Sequence, residues 1–135
     1  MSPSPIHTVL SILRTHRVRA LLMGGQACIL YGAAEFSRDI ALAVLADEKN
    51  LARLRAALDE LQAAPVFVPP LGAEVLRRGH ACHFRSARAD TKGLRIDVMS
   101  VPHGCEPFEA LWRRRRTMNW SLGHLVIWSF SVTTC

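Results

Sequence analysis

Apolar residues recur in the first half of the chain with two different spacings. In residues 5–16 they recur every three or four positions, which predicts an amphipathic helix. Residues 18–23 and 40–45 are almost continuously apolar, as is typical of buried strands. Asp47 is a suitable N-cap, and the spaced leucines after it predict a long helix from Glu48 to about Ala64, ended by the following proline.

Shorter elements are predicted in the rest of the chain. They are a helix at residues 26–31, a strand at 66–68, a helix at 71–78, strands at 80–85 and 94–100, and a helix at 107–115. Helices and strands alternate, which predicts an α/β (α+β) fold with a mixed β-sheet flanked by helices. Residues 1–117 are expected to form this domain. The apolar tail, residues 118–135, is expected to be a last strand, a truncated or foreign end, or a surface that favours a homodimer.

The composition indicates a globular protein and favours negatively charged partners. Half of the residues are apolar, which is enough for a packed core, and the formal net charge of +6 favours polyanions such as nucleic acid or nucleotide phosphates. We find no leader peptide pattern, and the longest apolar run, at residues 120–130, is too short to span a bilayer. The four cysteines have no regular disulfide spacing. We therefore expect a cytoplasmic protein without a membrane partner.

Two glycines follow the first predicted strand, in the segment Met23-Gly24-Gly25-Gln26. Without Cβ atoms, Gly24 and Gly25 allow a ligand to approach the backbone, and a helix start after them offers free N–H groups. That arrangement suits a triphosphate. A glycine pair at the end of a strand is also typical of a tight turn that binds nothing, and this segment alone leaves both interpretations open.

Two aspartates interrupt otherwise apolar strand segments. Asp39 opens the strand at residues 40–45, and Asp97 lies within the strand at residues 94–100. An ionised carboxylate in such a place is costly unless it is paired or binds a metal. The two aspartates therefore either converge on a cation or form ion pairs with Arg38 or Arg95.

In their order along the chain, these segments resemble the nucleotidyltransferase superfamily, which has a polymerase-β-like fold. The family pattern is a Gly-Gly or Gly-Ser turn, then two acids separated by one residue on a strand, then a third acid on a later strand. Here Gly24-Gly25, residues 32–39 (GAAEFSRD) and residues 95–100 (RIDVMS) carry the resemblance, which extends over about residues 18–112. The chain is similar above all to minimal bacterial nucleotidyltransferases and to toxin-type transferases of toxin–antitoxin systems.

The resemblance implies Mg²⁺-dependent transfer of a nucleotidyl group from an NTP such as ATP to a hydroxyl of RNA (tRNA or another RNA) or of a protein. Asp39 and Asp97 would be the catalytic metal ligands, with Asp97 nearest the attacking hydroxyl. The residues implied in phosphate binding are Gly24, Gly25, Ser37 and Arg38.

Ala41 departs from the family pattern, because it occupies the position of the middle acid, which usually bridges two Mg²⁺ ions. A methyl group cannot ligate a metal, so we expect impaired activity. Three explanations are open: a naturally inactive member, an engineered Asp-to-Ala change, or another acid that substitutes. The alternative function is a catalytically inactive nucleotide- or RNA-binding module or interaction subunit. The acids considered as substitutes are Glu35, Asp47 and Asp90.

Two further groups of side chains carry weaker signals. The run Arg113–Arg116 is expected to be mostly solvated, with RNA or another polyanion as the functional alternative. Histidine and cysteine pairs two residues apart suggest zinc, but the usual spacing between cysteine ligands is missing. The residues in question are His80, Cys82, His83, His103 and Cys105.

Overall fold

The computed structural model of the protein describes residues 5–23, 39–102, 104–122 and 125–133, with the backbone alone from residue 117 onward. The helices are α1 (Pro5–Thr15), α2 (Glu48–Glu60), α3 (Ala73–Arg77) and α4 (Phe108–Arg113). The strands are β1 (Ala20–Met23), β2 (Asp39–Val44), β3 (Ala64–Pro65), β4 (Cys82–Arg85), β5 (Arg95–Met99), β6 (Arg116–Leu122) and β7 (Leu125–Thr133). Among these helices, none is long and apolar enough to cross a bilayer.

The described strands form one seven-stranded sheet in the order β3-β4-β5-β2-β1-β7-β6. β2 runs parallel to β5, and β1 runs parallel to β7, whereas the other neighbours are antiparallel. The predicted α/β (α+β) class with a mixed sheet is therefore confirmed. The apolar tail supplies β7, which lies beside β1, and most of β6. The helix predicted at residues 26–31 lies outside the described residues.

The two faces of the sheet are covered differently. Ile40, Leu42 and Val44 of β2 belong to the larger core, which also contains the buried sides of α1, α2 and α3. The alternate residue Ala43 faces the other way and packs with Phe108 of α4 in a smaller core. Among the described residues, α4 packs on the second face against Leu21 and Ala43. At the start of β2 on that face, Asp39 is exposed and Ala41 is half-buried, so we call it the accessible face.

Helix α2 ends earlier than predicted. The sequence indicates helix to about Ala64, but α2 ends at Glu60 because Gln62 takes a left-handed backbone conformation (φ 52°). Gln62 N donates to Asp59 O (3.0 Å) and Ala63 N donates to Leu58 O (2.9 Å), which is the hydrogen-bond pattern of a Schellman cap. A glycine usually takes this position, so the cap carries no signal in this sequence.

The early end of α2 also moves the next strand. The strand predicted at residues 66–68 is wrong, because the chain already pairs with β4 at Ala64–Pro65. Val66 N still donates to His83 O (2.9 Å), and the chain then leaves the sheet. Pro65 has no N–H to donate, and it is tolerated because β3 lies at the edge of the sheet.

Asn50 ties the sheet to α2. Its side chain is buried, accepts from Arg19 N (2.7 Å), and donates to Arg19 O (3.1 Å) and to Leu45 O (2.8 Å). Its own backbone N–H donates to Oδ1 of Asp47 (2.7 Å), which confirms Asp47 as the N-cap of α2. One amide side chain thus satisfies backbone groups at the start of β1 and at the end of β2.

We expect Asn50→Ala to lower the free energy of unfolding by about 3 kcal/mol, because it leaves the part-buried Arg19 N–H and Leu45 carbonyl without their side-chain partners. Urea unfolding measures the change, and Lys49→Ala, at the exposed neighbouring position, is the matched control with an expected change within about 0.5 kcal/mol. A loss for Asn50→Ala no larger than that of the control would contradict this role of Asn50.

Candidate active site

The register of β2 on β5 determines which side chains meet on the accessible face. Ala41 is the partner of Asp97, and Asp39 is the partner of Arg95. In adjacent strands, residues in register point to the same face, and so do residues two apart on one strand. Asp39, Ala41 and Asp97 therefore share one face of the sheet.

The two aspartates are diagonal neighbours on this face. Since Asp39 lies one strand away from Asp97 and two residues along, their Cα atoms are about 8 Å apart by strand geometry. Ala41 occupies the nearer position, directly beside Asp97. An acid at position 41 would thus be the closest possible carboxylate to Asp97 on β2.

Asp97 is held by two neighbouring side chains. Its Oδ1 accepts from Arg95 Nε (2.9 Å) and lies 2.6 Å from Nδ1 of His83. Arg95 is two residues earlier on the same strand, and His83 is the partner of Asp97 on β4. The ion pair with Arg95, which was one of the two alternatives for this aspartate, is therefore formed.

The hydrogen bonds of His83 indicate which of its ring nitrogens carries a proton. Arg95 Nη2 also lies 3.2 Å from Nδ1 of His83, but the shorter contact of Nδ1 with the carboxylate is the stronger hydrogen bond. An ionised carboxylate can only accept, so Nδ1 carries the proton and donates it to Asp97. When the ring is neutral, its Nε2 is then an acceptor.

Phe67 covers this cluster from the segment after β3. Its ring lies edge-on to His83, with 5.7 Å between ring centroids, and 5.4 Å from the guanidinium carbon of Arg95. The Phe67 side chain itself remains 54% exposed. The ring shields the ion pair from water on one side, which strengthens the hydrogen bonds beneath it.

These acids fit one cation better than two. Mg²⁺ is commonly bound by one or two carboxylates together with substrate phosphates, and Asp39 and Asp97 supply two carboxylates on one face. A bridging ligand for a second ion is missing at Ala41. Among the described residues, no group of three or more His, Cys, Asp or Glu side chains is placed to hold a metal by itself.

The zinc alternative finds no support in the described part of the chain. Cys82 is a buried free thiol in the larger core, and burial raises its pKa above the usual value. Its neighbour His83 points to the opposite face of β4, and Cys105 is disulfide-bonded and so cannot ligate a metal. His103 lies outside the described residues.

The predicted site residues are only partly described. The structure brings Asp39, Ala41 and Asp97 to one face, as set out above. The implied phosphate contacts Gly24, Gly25, Ser37 and Arg38 lie outside the described residues. Phe67 carries no functional signal in the sequence, and His83 is indicated there only as a zinc ligand. For His83, the alternation of Cys82, His83 and Phe84 was a usable signal, because it places a polar side chain opposite two apolar ones.

We expect the neutral ring of His83 to carry its proton on Nδ1, as seen in ¹⁵N–¹H NMR spectra of the imidazole nitrogens. His16 is an internal control, since its Nε2 lies 2.9 Å from Glu60 Oε1 and should carry the proton instead. Asp97→Ala, which has no side-chain acceptor, should remove the preference at His83 and leave His16 unchanged. An Nε2-protonated His83 in the unmodified protein would contradict the assignment.

Comparisons of this chain with protein-family models, with curated proteins and with solved structures give no match. The nucleotidyltransferase assignment thus stays a prediction from the order of Gly24-Gly25, Asp39 and Asp97. The chemistry of the site rests on its own residues and their geometry.

Proposed function

We propose that this chain is a nucleotidyltransferase-type protein that binds an NTP with Mg²⁺ on the accessible face of its sheet. It transfers the nucleotidyl group to a hydroxyl of RNA or of a protein, slowly because of Ala41. The observation that carries the proposal is the register of β2 on β5, which sets Asp39 and Asp97 on one solvent-accessible face. Two carboxylates together with substrate phosphates are a common ligand set for Mg²⁺.

In the proposed reaction the acceptor hydroxyl attacks the α-phosphorus of the NTP, and the bond from that phosphorus to pyrophosphate breaks. Bound Mg²⁺ supplies neutralisation of the phosphate charge. Among the described residues both contacts of Asp97 use Oδ1, which leaves Oδ2 as the oxygen that would bind Mg²⁺. Nε2 of His83 is the proposed acceptor for the proton of the attacking hydroxyl, because Asp97 orients the ring.

Ala41 sets the expected rate. Loss of a carboxylate beside the reacting groups removes several kcal/mol of charge stabilisation from the transition state, which lowers the rate on the order of a thousandfold. The remaining pair of acids still suits binding of one ion with its nucleotide. Slow transfer with retained nucleotide binding is therefore the proposed behaviour.

The proposal extends to partners and to location. The proposed acceptor is a hydroxyl of tRNA, of another RNA or of a protein. The resemblance to toxin-type transferases supports a proposed role in a bacterial toxin–antitoxin system. A cytoplasmic location agrees with these substrates, because NTPs and RNA are available there.

The second candidate function is a catalytically inactive nucleotide- or RNA-binding module. The pairing of Asp97 with Arg95 and His83 favours it, because a metal ion at Asp97 competes with a guanidinium group that is already in place. In that case a nucleotide or RNA binds to the accessible face and is released chemically unchanged.

We expect Ala41→Asp to raise the rate of nucleotide-dependent labelling of RNA or protein at least about a hundredfold, because it restores a carboxylate beside Asp97. The assay uses radiolabelled NTPs with Mg²⁺. Ala41→Asn, with the same shape and no charge, is the matched control and should give no gain. Equal inactivity of the unmodified chain and of Ala41→Asp would favour the non-catalytic module.

A further inference from the structure

A second candidate site lies at the other end of β2. A cavity of about 270 Å³ opens between the start of β1, the end of β2 and the first turns of α2. Leu45, in its wall, follows Asp39 by six residues along a strand direction, so the cavity is about 20 Å from that aspartate. The side chains that line it are Arg19, Leu45, Asp47, Lys49, Asn50 and Arg53.

The cavity carries an excess of positive charge, because three cationic side chains line it and Asp47 supplies a single carboxylate. Arg19, Lys49 and Arg53 have no ion-pair partner among the described residues. The nearby carboxylate of Asp47 is already used as the helix cap, where it accepts from Asn50 N (2.7 Å). Three like charges around one cavity repel each other, and an oxyanion between them would relieve that repulsion.

The walls of this cavity are held in place before any ligand binds. Asn50 fixes both backbone polar groups of Arg19, and Leu45 N also donates to Arg19 O (3.2 Å). The guanidinium carbon of Arg19 lies 5.9 Å from the ring centroid of Trp112. Trp112 in turn stacks on Phe108, with centroids 5.5 Å apart. Arg19 is thus positioned by the sheet and by α4 together.

The positive surface continues from the cavity onto the basic run. The guanidinium carbon of Arg115 lies 4.0 Å from the centroid of the same Trp112 ring, and Arg115 Nη1 donates to Trp112 O (2.9 Å). Arg19 and Arg115 therefore share one aromatic ring. Arg116 follows at the start of β6 and is exposed. A ligand with more than one phosphate can reach from the cavity to Arg115.

We propose that Arg19, Lys49 and Arg53 form a phosphate-binding pocket, and that Arg115 binds a further phosphate of the same ligand. The ligand class is a chain of phosphates, either a free oligophosphate or the backbone of a single-stranded nucleic acid. The pocket is independent of the carboxylate site and of the proposed function, since its residues and those of the carboxylate site do not overlap.

The test uses the full chain in EDTA, so that no Mg²⁺-dependent binding at Asp39 and Asp97 contributes. A fluorescein-labelled single-stranded oligonucleotide is titrated by anisotropy between 50 and 200 mM salt, roughly the range over which phosphate contacts respond. Inorganic tripolyphosphate is added as a competitor and is also titrated alone by calorimetry. The variant is Lys49→Gln with Arg53→Gln, and the charge-matched control is Arg77→Gln with Lys92→Gln, at exposed positions outside the pocket.

We expect the pocket variant to bind the oligonucleotide about tenfold more weakly at low salt. Its slope of log affinity against log salt should fall by about 1.4, because about 0.7 is lost for each phosphate contact to a single strand. The control variant should change neither quantity by as much. Arg19→Gln serves as a second variant and should weaken binding in the same direction, with folding of each variant checked by its thermal unfolding.

The competitor distinguishes the two sources of phosphate. Direct binding of tripolyphosphate that is lost in the pocket variant supports a free oligophosphate as ligand. Binding of the strand that tripolyphosphate does not displace at millimolar concentration supports a nucleic acid backbone. Binding of neither probe, or equal losses in the pocket and control variants, would overturn the proposal.

Discussion

The parallel register between β2 and β5 is the constraint on which the rest of the molecule depends. Ile40 and Leu42 lie beside Ile96 and Val98, and all four are buried in the larger core. If the pairing shifted by one residue, every side chain of one strand would change face, and the aspartate on that strand would be buried among aliphatic side chains. The hydrophobic core and the acidic face are therefore determined by the same pairing, since burial of one set of alternate residues brings the other set together.

The side chain at position 41 affects the candidate site without affecting the fold. Its methyl group leaves the larger core unchanged, because it points away from it. It also leaves Asp97 next to a small side chain, where Arg95 and His83 provide its contacts instead. The fold is thus compatible with either an acid or an alanine at this position, whereas the proposed metal-dependent chemistry depends on which of them is present.

The two ends of β2 carry opposite charge on a shared scaffold. Asp39 opens the strand on the accessible face, whereas Arg19, Lys49 and Arg53 surround the cavity at its far end. Asn50 keeps the second end rigid, since its amide group joins β1, β2 and α2. Separation of the carboxylate pair from the basic pocket keeps the two groups of opposite charge from neutralising each other.

The sequence predicts the elements of this fold where periodicity is strong, and it fails where a local conformation has no typical residue. The helix α1 follows from the spacing of its apolar residues, β2 from a continuous apolar run, and the N-cap Asp47 from its residue type before a helix. The structure confirms all three. The end of α2 was missed because Gln62 occupies a position that usually holds glycine. That error displaced the following strand as well.

The sequence predicts only some residues of the candidate site. Spacing indicates that Asp97 lies within a strand, but it does not reveal which strands are neighbours. The contact of Asp97 with His83 depends on the pairing of β4 with β5, which joins residues 14 positions apart. The sequence therefore predicts that each aspartate lies on a strand. It does not predict that His83 contacts Asp97, because that contact depends on the order of the strands in the sheet.

The most direct test of the central claim is calorimetric titration of Mg²⁺-NTP into the unmodified chain, Asp39→Asn and Asp59→Asn. Asp59 is an exposed carboxylate on α2, so its substitution removes the same charge away from the accessible face. We expect millimolar or tighter binding to the unmodified chain, about tenfold weaker binding to Asp39→Asn because a metal ligand is lost, and no change for Asp59→Asn. Absence of binding by any NTP at millimolar concentration, or equal affinity for the two variants, would contradict the account.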